Sequence, residues 1–246
     1  MTKIGNNYLN FIASHDGIGM RPVEGYLNKD NLSKFFKRLK KNGGQLSYRK
    51  VRGSSKKVYE ANITLFNAFQ KTDYDKKGKY FLERYISAHA IMIAFEGIPA
   101  IYFNSIFGTS NDEYKYIISG NKRDLNRYKW NNERLIKNLK INNSKQSVFY
   151  NEMTNLIKIR RKQKAFHPNA QRKNLNFGSK FYALERISLD KSQKILAITN
   201  LTSKTQVLKI NSKYLKSKNL LGQKFKITFD KELVFNPFQT FWLSIN

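Results

Sequence analysis

The apolar positions along the chain change texture near residue 168: before it they form short runs and helix-spaced faces, and after it brief alternating segments. Residues 8–14 (YLNFIAS) are mostly apolar or aromatic and end in polar residues. That pattern predicts a buried strand delivering polar groups at its C-terminal end, with His15, Asp16, Gly17 and Gly19 forming the tip. Between Asn31 and Leu39, the residues Leu32, Phe35, Phe36 and Leu39 recur at helical spacing among basic residues, and Gly43-Gly44 provides a stop. Residues 45–58 alternate, with Gly53-Ser54-Ser55 as a turn, which predicts an excursion or hairpin. Residues 59–69 (YEANITLFNAF) read as a short helix or a packed loop. Residues 81–95 are continuously apolar or small and predict a well-buried helix, stopped by Gly97-Ile98-Pro99. Residues 98–103 (IPAIYF) then read as a second apolar strand, entered through a proline that a strand tolerates at its start. Strand, polar excursion, buried helix and strand again is the order of a βαβ unit with parallel pairing.

Residues 104–130 form a long polar segment holding Arg123, Asp124 and Arg127, and segments of this kind without regular structure are usually functional or disordered. A further amphipathic helix is expected over residues 146–164, with Phe149, Met153, Leu156, Ile157 and Ile159 on its apolar side. Residues 180–187, 194–200, 206–210, 223–229 and 238–245 are short, often alternating, and separated by Asp, Asn, Ser and Gly. They predict an all-β module.

The 246 residues, 40% of them hydrophobic and 14% aromatic, supply enough material for a packed core. No window approaches the roughly 18 consecutive apolar residues of a membrane span, so no membrane role is expected. Residues 1–10 lack an apolar core followed by a small-residue cleavage site, so no secretory signal is read there. With no cysteine there is no disulfide framework, thiolate metal site or Cys nucleophile, and the cytoplasm is the default address. The net charge of +29 invites a nucleic-acid partner. The basic residues recur almost everywhere, however, without a nucleic-acid-binding motif, and Lys, Asn and Ile are abundant together. Codon bias with solvated faces accounts for that pattern better than nucleic-acid binding does.

Ser14-His15-Asp16-Gly17 is the strongest local constellation, an imidazole and a carboxylate at the end of an apolar strand followed by glycines that permit a tight turn. Active sites of α/β barrels are built at the C-terminal ends of strands. Taken alone, the pair reads equally as a capping Asp beside a hydrogen-bonded His.

Residues 11–27 (FIASHDGIGMRPVEGYL) closely resemble the stretch around the seventh strand of the sucrose-phosphorylase-like members of glycoside hydrolase family 13, the α-amylase superfamily. The resemblance continues in order through GGQLSYR (43–49), YEANITLFNAF (59–69), AIMIAFEGIPAIYFNSIFGTSND (90–112), GNKRDLNRYKW (120–130) and IRRKQKAFHPNA (159–170). It implies a partial (β/α)8 barrel over residues 1–168, followed by a small β-sandwich over residues 169–246. It also implies retaining transfer of a glucosyl unit from sucrose or a related α-glucoside to inorganic phosphate, with no metal or organic cofactor. Retention needs a carboxylate nucleophile and a carboxylic acid/base on either side of the scissile bond. By this resemblance Asp16 is the transition-state stabiliser, His15 a neighbouring hydroxyl donor, and Arg127 a lining residue of the donor-sugar pocket, with Arg123 a second candidate. For both arginines the plainer reading is an ion pair that ties the loop down. Arg21, in the Arg21-Pro22-Val23-Glu24 loop, resembles the variant found in relatives that act on phosphorylated or acidic substrates, where it would meet an anion. The alternative is that Arg21 pairs Glu24. His89 and His167 read as structural.

In the family, the nucleophile and the acid/base lie far upstream of this motif, and no carboxylate here matches either. The expectation is therefore the C-terminal portion of such an enzyme, inactive alone, with Met1 an internal start. Two other readings stand: an N-terminal barrel fragment encoded upstream docks and restores an active phosphorylase, or the chain is a basic binding protein without chemistry.

Overall fold

In the computed structural model, residues 6–51 and 54–245 are described; the turn expected at Gly53 and the first five residues of the stretch read for a secretory signal lie outside the described residues. The chain divides into two compact units. One takes the described residues up to Asn10, Leu82–Ala100 and Glu152 onward, and the other takes Phe11–Phe81 and Ile101–Asn151. Among the described residues no helix is long and apolar enough to cross a membrane.

In the first unit, strand Leu9–Asn10 pairs in parallel with strand Ile98–Pro99, and the helix Phe81–Ala94 lies between them in the chain. The βαβ order is as the sequence predicts, but both strands are two residues long and far from buried, with Leu9 62% and Ile98 50% exposed. The physical reason is a missing neighbour. Parallel strands are normally covered on both faces by further elements, and among the described residues this pair has no third strand.

The helix Phe81–Ala94 buries Tyr85, His89, Ala90, Met92, Ile93 and Ala94. His89 is a core residue, as expected. Its Nδ1 lies 2.9 Å from the Tyr85 carbonyl oxygen, its ring packs 4.6 Å from that of Tyr85, and burial pulls its pKa down to about 4. Two buried arginines meet the chain where this helix ends. Arg160 donates to the carbonyls of Ile93, Phe95 (3.1 Å) and Gly97 (2.7 Å), and Arg186 to those of Ala94 (2.8 Å), His167 (2.7 Å) and Ala170 (3.1 Å). Burial brings both guanidinium pKa values down to about 10, still far above neutrality, so both stay cationic where a helix leaves carbonyls unpaired and its dipole negative.

The β module holds a five-stranded antiparallel sheet in the order Lys218–Asn219, Thr240–Ile245, Lys194–Asn200, Phe181–Ile187, Gln171–Leu175. A three-stranded sheet runs Lys226–Ile227, Glu232–Phe235, Gln206–Lys209. Phe181, Leu196, Ile198 and Phe241 from the first meet Leu233 and Phe235 from the second in one core, the arrangement of a sandwich. The other face of the larger sheet is also apolar: Trp242 is fully buried and packs edge-on to Phe166 at 4.8 Å. The strands at Gln171–Leu175 and Glu232–Phe235 were not foreseen.

In the second unit, the helix Lys29–Lys41 starts at Asn28, whose side chain accepts from the Asn31 N–H at 2.8 Å. Leu39 and Phe36 pack with Met20, Leu46, Ala61 and Ile63. The hairpin is formed by Gln45–Val51 and Ser54–Asn62, and Ile18–Gly19 pairs on its other side, so Ser54–Asn62 is the central strand. Residues 59–69 are therefore neither a helix nor a loop throughout: the first four residues belong to that strand, and Thr64 caps the helix Leu65–Gln70. The long polar segment is ordered by short elements, the helices Phe103–Ile106 and Glu113–Ser119 and the 3-10 turn Lys122–Asn126.

Candidate active site

The turn after residue 13 is fixed by backbone geometry. Ser14 and Gly17 exchange backbone hydrogen bonds, 2.9 Å from the Ser14 N–H to the Gly17 carbonyl and 3.1 Å in return, and the Asp16 N–H donates to Ser14 Oγ at 3.2 Å. Gly17 sits at φ +115°, and a Cβ there would lie 2.2 Å from the Ala61 carbonyl oxygen, so only glycine lets the turn approach the central strand this closely. Two buried amides hold the turn from below: Asn62 Nδ2 and Asn126 Nδ2 each donate to the Asp16 carbonyl at 3.0 Å.

The Asp16 side chain, 29% exposed, meets two guanidinium groups and an imidazole. Arg127 Nη2 donates to Oδ1 at 2.8 Å, Arg123 Nε lies 3.4 Å from the same oxygen, and His15 Nε2 lies 3.3 Å from it. Among the described residues no hydrogen bond reaches Oδ2. His15 is 63% exposed and its ring stands edge-on to Tyr102 at 6.5 Å. Tyr102 in turn donates to the Asn126 carbonyl at 2.9 Å, and Asn104 Nδ2 donates to the Tyr128 carbonyl at 3.0 Å, which pins the segment carrying Arg127. Crowded by cationic groups, Asp16 is poorly placed to hold a metal ion. Among the described residues no group of three or more His, Cys, Asp or Glu could hold one.

Arg123 has a second partner. Its Nε donates to Glu60 Oε1 at 3.2 Å and its Nη2 to Glu60 Oε2 at 3.0 Å, a fork-on-fork pair that raises the guanidinium pKa still further. Glu60 is buried and also accepts from Asn62 Nδ2 at 2.8 Å, while Asn62 Oδ1 accepts from Ser47 Oγ at 2.7 Å.

The structure thus brings His15, Asp16, Arg123 and Arg127 together. Arg21 is exposed in the 3-10 turn Arg21–Val23, and it does not pair Glu24 through its side chain. Arg49 Nη2 reaches both Glu24 oxygens instead, at 3.0 and 2.8 Å, and holds that carboxyl below its ordinary pKa, with Lys57 and Arg21 adding to the effect from farther off. His167 lies outside this cluster and accepts from the Asn169 N–H at 3.2 Å.

Glu60, Asn62 and Asn126 are parts of the site that the sequence reading passed over. A signal was present. In residues 60–65 (EANITL) the polar Glu60, Asn62 and Thr64 alternate with Ala61, Ile63 and Leu65, the period of a strand whose two faces meet different surroundings.

No protein-family model matches the chain. The glucosylglycerate phosphorylase of Escherichia coli (strain K12) is 27% identical over 239 residues, which takes in 96% of this chain and 41% of that protein. The sucrose phosphorylase of Streptococcus mutans serotype c is 28% identical over 131 residues, 52% of this chain and 25% of that one. The chain therefore spans well under half the length of the curated relatives it matches, a share consistent with a C-terminal portion. Among solved structures, the sucrose 6F-phosphate phosphorylase from Thermoanaerobacter thermosaccharolyticum superposes with a TM-score of 0.62 at 19% identity, covering 76% of this chain and 35% of that one. That likeness bears out the expected fold class, part of an α/β barrel followed by a β domain. The chain is a homologue of the glucosylglycerate and sucrose phosphorylases, the sucrose-phosphorylase-like enzymes of glycoside hydrolase family 13 that its motifs resemble.

Proposed function

We propose that this chain supplies the sugar-binding and transition-state-stabilising part of a retaining α-glucosyl phosphorylase of the cytoplasm, with inorganic phosphate as co-substrate. The observation that carries the reading is the convergence of Arg127, Arg123 and His15 on one oxygen of Asp16, with the other oxygen clear of hydrogen bonds from described residues. A carboxylate held in this way keeps its orientation. Its open oxygen can accept from sugar hydroxyls, and its charge opposes the positive charge that an oxocarbenium-like transition state develops. Arg127 and His15 add donors at the rim. The nucleophile and acid/base carboxylates come, on this reading, from outside these 246 residues.

The donor is proposed to be an α-glucoside with an acidic or phosphorylated aglycone. Arg21 is exposed five positions past Asp16, and Arg49 leaves its own charge balanced by Glu24, so Arg21 is the cation available to an anionic substrate group. A separately supplied barrel segment is favoured by the parallel pair Leu9–Asn10 and Ile98–Pro99, whose exposed Leu9 and Ile98 suit covering by further strands.

The test is phosphorolysis of sucrose, sucrose 6′-phosphate and glucosylglycerate by the purified chain, alone and coexpressed with a segment carrying the two further carboxylates. Glucose 1-phosphate should form only in the second case, fastest from an anionic donor. Asp16→Ala should lower kcat/KM by about a hundredfold or more, the usual scale for losing one transition-state contact. Activity from the chain alone would contradict the division of labour, and no product in either case would leave a non-catalytic binding role.

A further inference from the structure

We infer that Glu60 is a positioning residue of this site: it holds the Arg123 guanidinium off the open oxygen of Asp16 and so keeps that oxygen available to sugar. The inference rests on the phosphorylase reading for its functional consequence but not for its geometry.

Glu60 is 4% exposed near the end of the central strand, and a buried carboxylate persists there only because it is fully engaged. Its two oxygens take both prongs of the Arg123 fork, and Asn62 adds a third hydrogen bond. Asp16 receives no hydrogen bond from this fork: the Nε already donated to Glu60 lies 3.4 Å from Oδ1, compared with 2.8 Å for the Arg127 donor. A guanidinium fork matches a carboxylate best when it grips both oxygens. Two such forks flank Asp16, and if both were free to grip it, no oxygen would remain for a hydroxyl. Glu60 removes one of them from the competition. The Asn62 side chain joins the same two parts, donating to the Asp16 carbonyl as well as to Glu60, so the carboxylate that restrains Arg123 is tied to the turn carrying Asp16. A restraint differs from a stabilising ion pair in its response to a second substitution. If Glu60 only braces the fold, removing Arg123 as well cannot help. If it restrains a competitor, removing the competitor restores part of what its loss cost.

Two measurements decide this. In a crystal structure of the Glu60→Gln chain, the Arg123 fork should move onto both oxygens of Asp16; an Arg123 that stays in place would overturn the proposal whatever the enzyme does. In the complemented preparation, Glu60→Gln should raise KM for the glucoside about tenfold, the scale of one lost charge-assisted hydrogen bond. The Glu60→Gln/Arg123→Gln pair should have a lower KM than Glu60→Gln alone, though short of wild type because Arg123 also helps to hold Asp16. A double variant as weak as Glu60→Gln alone would sink the idea. If Glu60→Gln does not fold, Glu60→Asp retains the charge but withdraws it by one methylene, and should show the same shift of Arg123 in smaller degree. If no preparation of the wild type forms glucose 1-phosphate, the phosphorylase reading fails by itself, while the crystal structure still decides the role of Glu60.

Discussion

His89 and Asp16 illustrate how differently a titratable side chain behaves in a core and in a site. His89 is 2% exposed, one ring nitrogen is taken by a backbone carbonyl, and burial holds its pKa near 4, below the ordinary value of 6.5. A base whose folded pKa is depressed makes stability fall as pH drops, because below 6.5 the unfolded chain takes a proton that the folded one refuses until about pH 4. The expected loss is about 2 kcal/mol between pH 7.5 and pH 5. Urea midpoints across that range should show it in the wild type, and His89→Gln should abolish that component; equal slopes in both proteins would assign the pH dependence elsewhere. Asp16, by contrast, is part exposed and surrounded by donors, which keeps it oriented and reachable. At this scale the sequence was legible where a residue type is rare and its setting apolar, as for His89. A motif also singled out His15, Asp16, Arg123 and Arg127, which the fold brings together. Glu60 and Asn62 escaped because strand alternation in a stretch where both faces are buried looks like a continuous packed segment.

At the scale of elements, the amphipathic faces were readable because one physical pressure dominates each: the helix Lys29–Lys41 shows its apolar stripe, and Lys194–Asn200 shows its run of buried residues. Elements governed by pairing were less so. Gln171–Leu175 (QRKNL) is polar except for Leu175, which packs against the core, and becomes a strand because it lies beside Phe181–Ile187 at the edge of the sheet, where most of its polar side chains can remain in water. The end of helix Phe81–Ala94 shows the same dependence on distant residues, since its carbonyls are met by Arg160 and Arg186 from far along the chain. Arg186 accounts for three carbonyls that nothing apolar can satisfy. Arg186→Met should therefore destabilise the protein by about 3 kcal/mol or more, despite burying a side chain of similar length. Arg186→Lys, whose single ammonium cannot span the three acceptors, should fall in between. Denaturant midpoints measure both, and a methionine variant as stable as wild type would show those carbonyls to be hydrated instead.

For the whole molecule, two features oppose each other. The exposed Leu9 and Ile98 favour association, and a net charge of +29 resists it by mutual repulsion that salt screens over about 10 Å at 0.1 M. The chain alone should therefore sediment as a monomer at low ionic strength and associate as salt rises, and Leu9→Lys should weaken that association. Salt-independent sedimentation would mean that the exposed pair is not what brings copies together. A different consequence follows from the order of strands in the five-stranded sheet. Thr240–Ile245 lies inside the sheet, with Lys218–Asn219 on one side and Lys194–Asn200 on the other. During synthesis the flanking strands leave the ribosome first and must wait, their inner edges unpaired, until the central one emerges. The completion of this sheet is set by the moment of translation at which residue 245 clears the exit tunnel, and a message broken a few codons earlier would yield a sheet without the strand that joins Lys218–Asn219 to the rest.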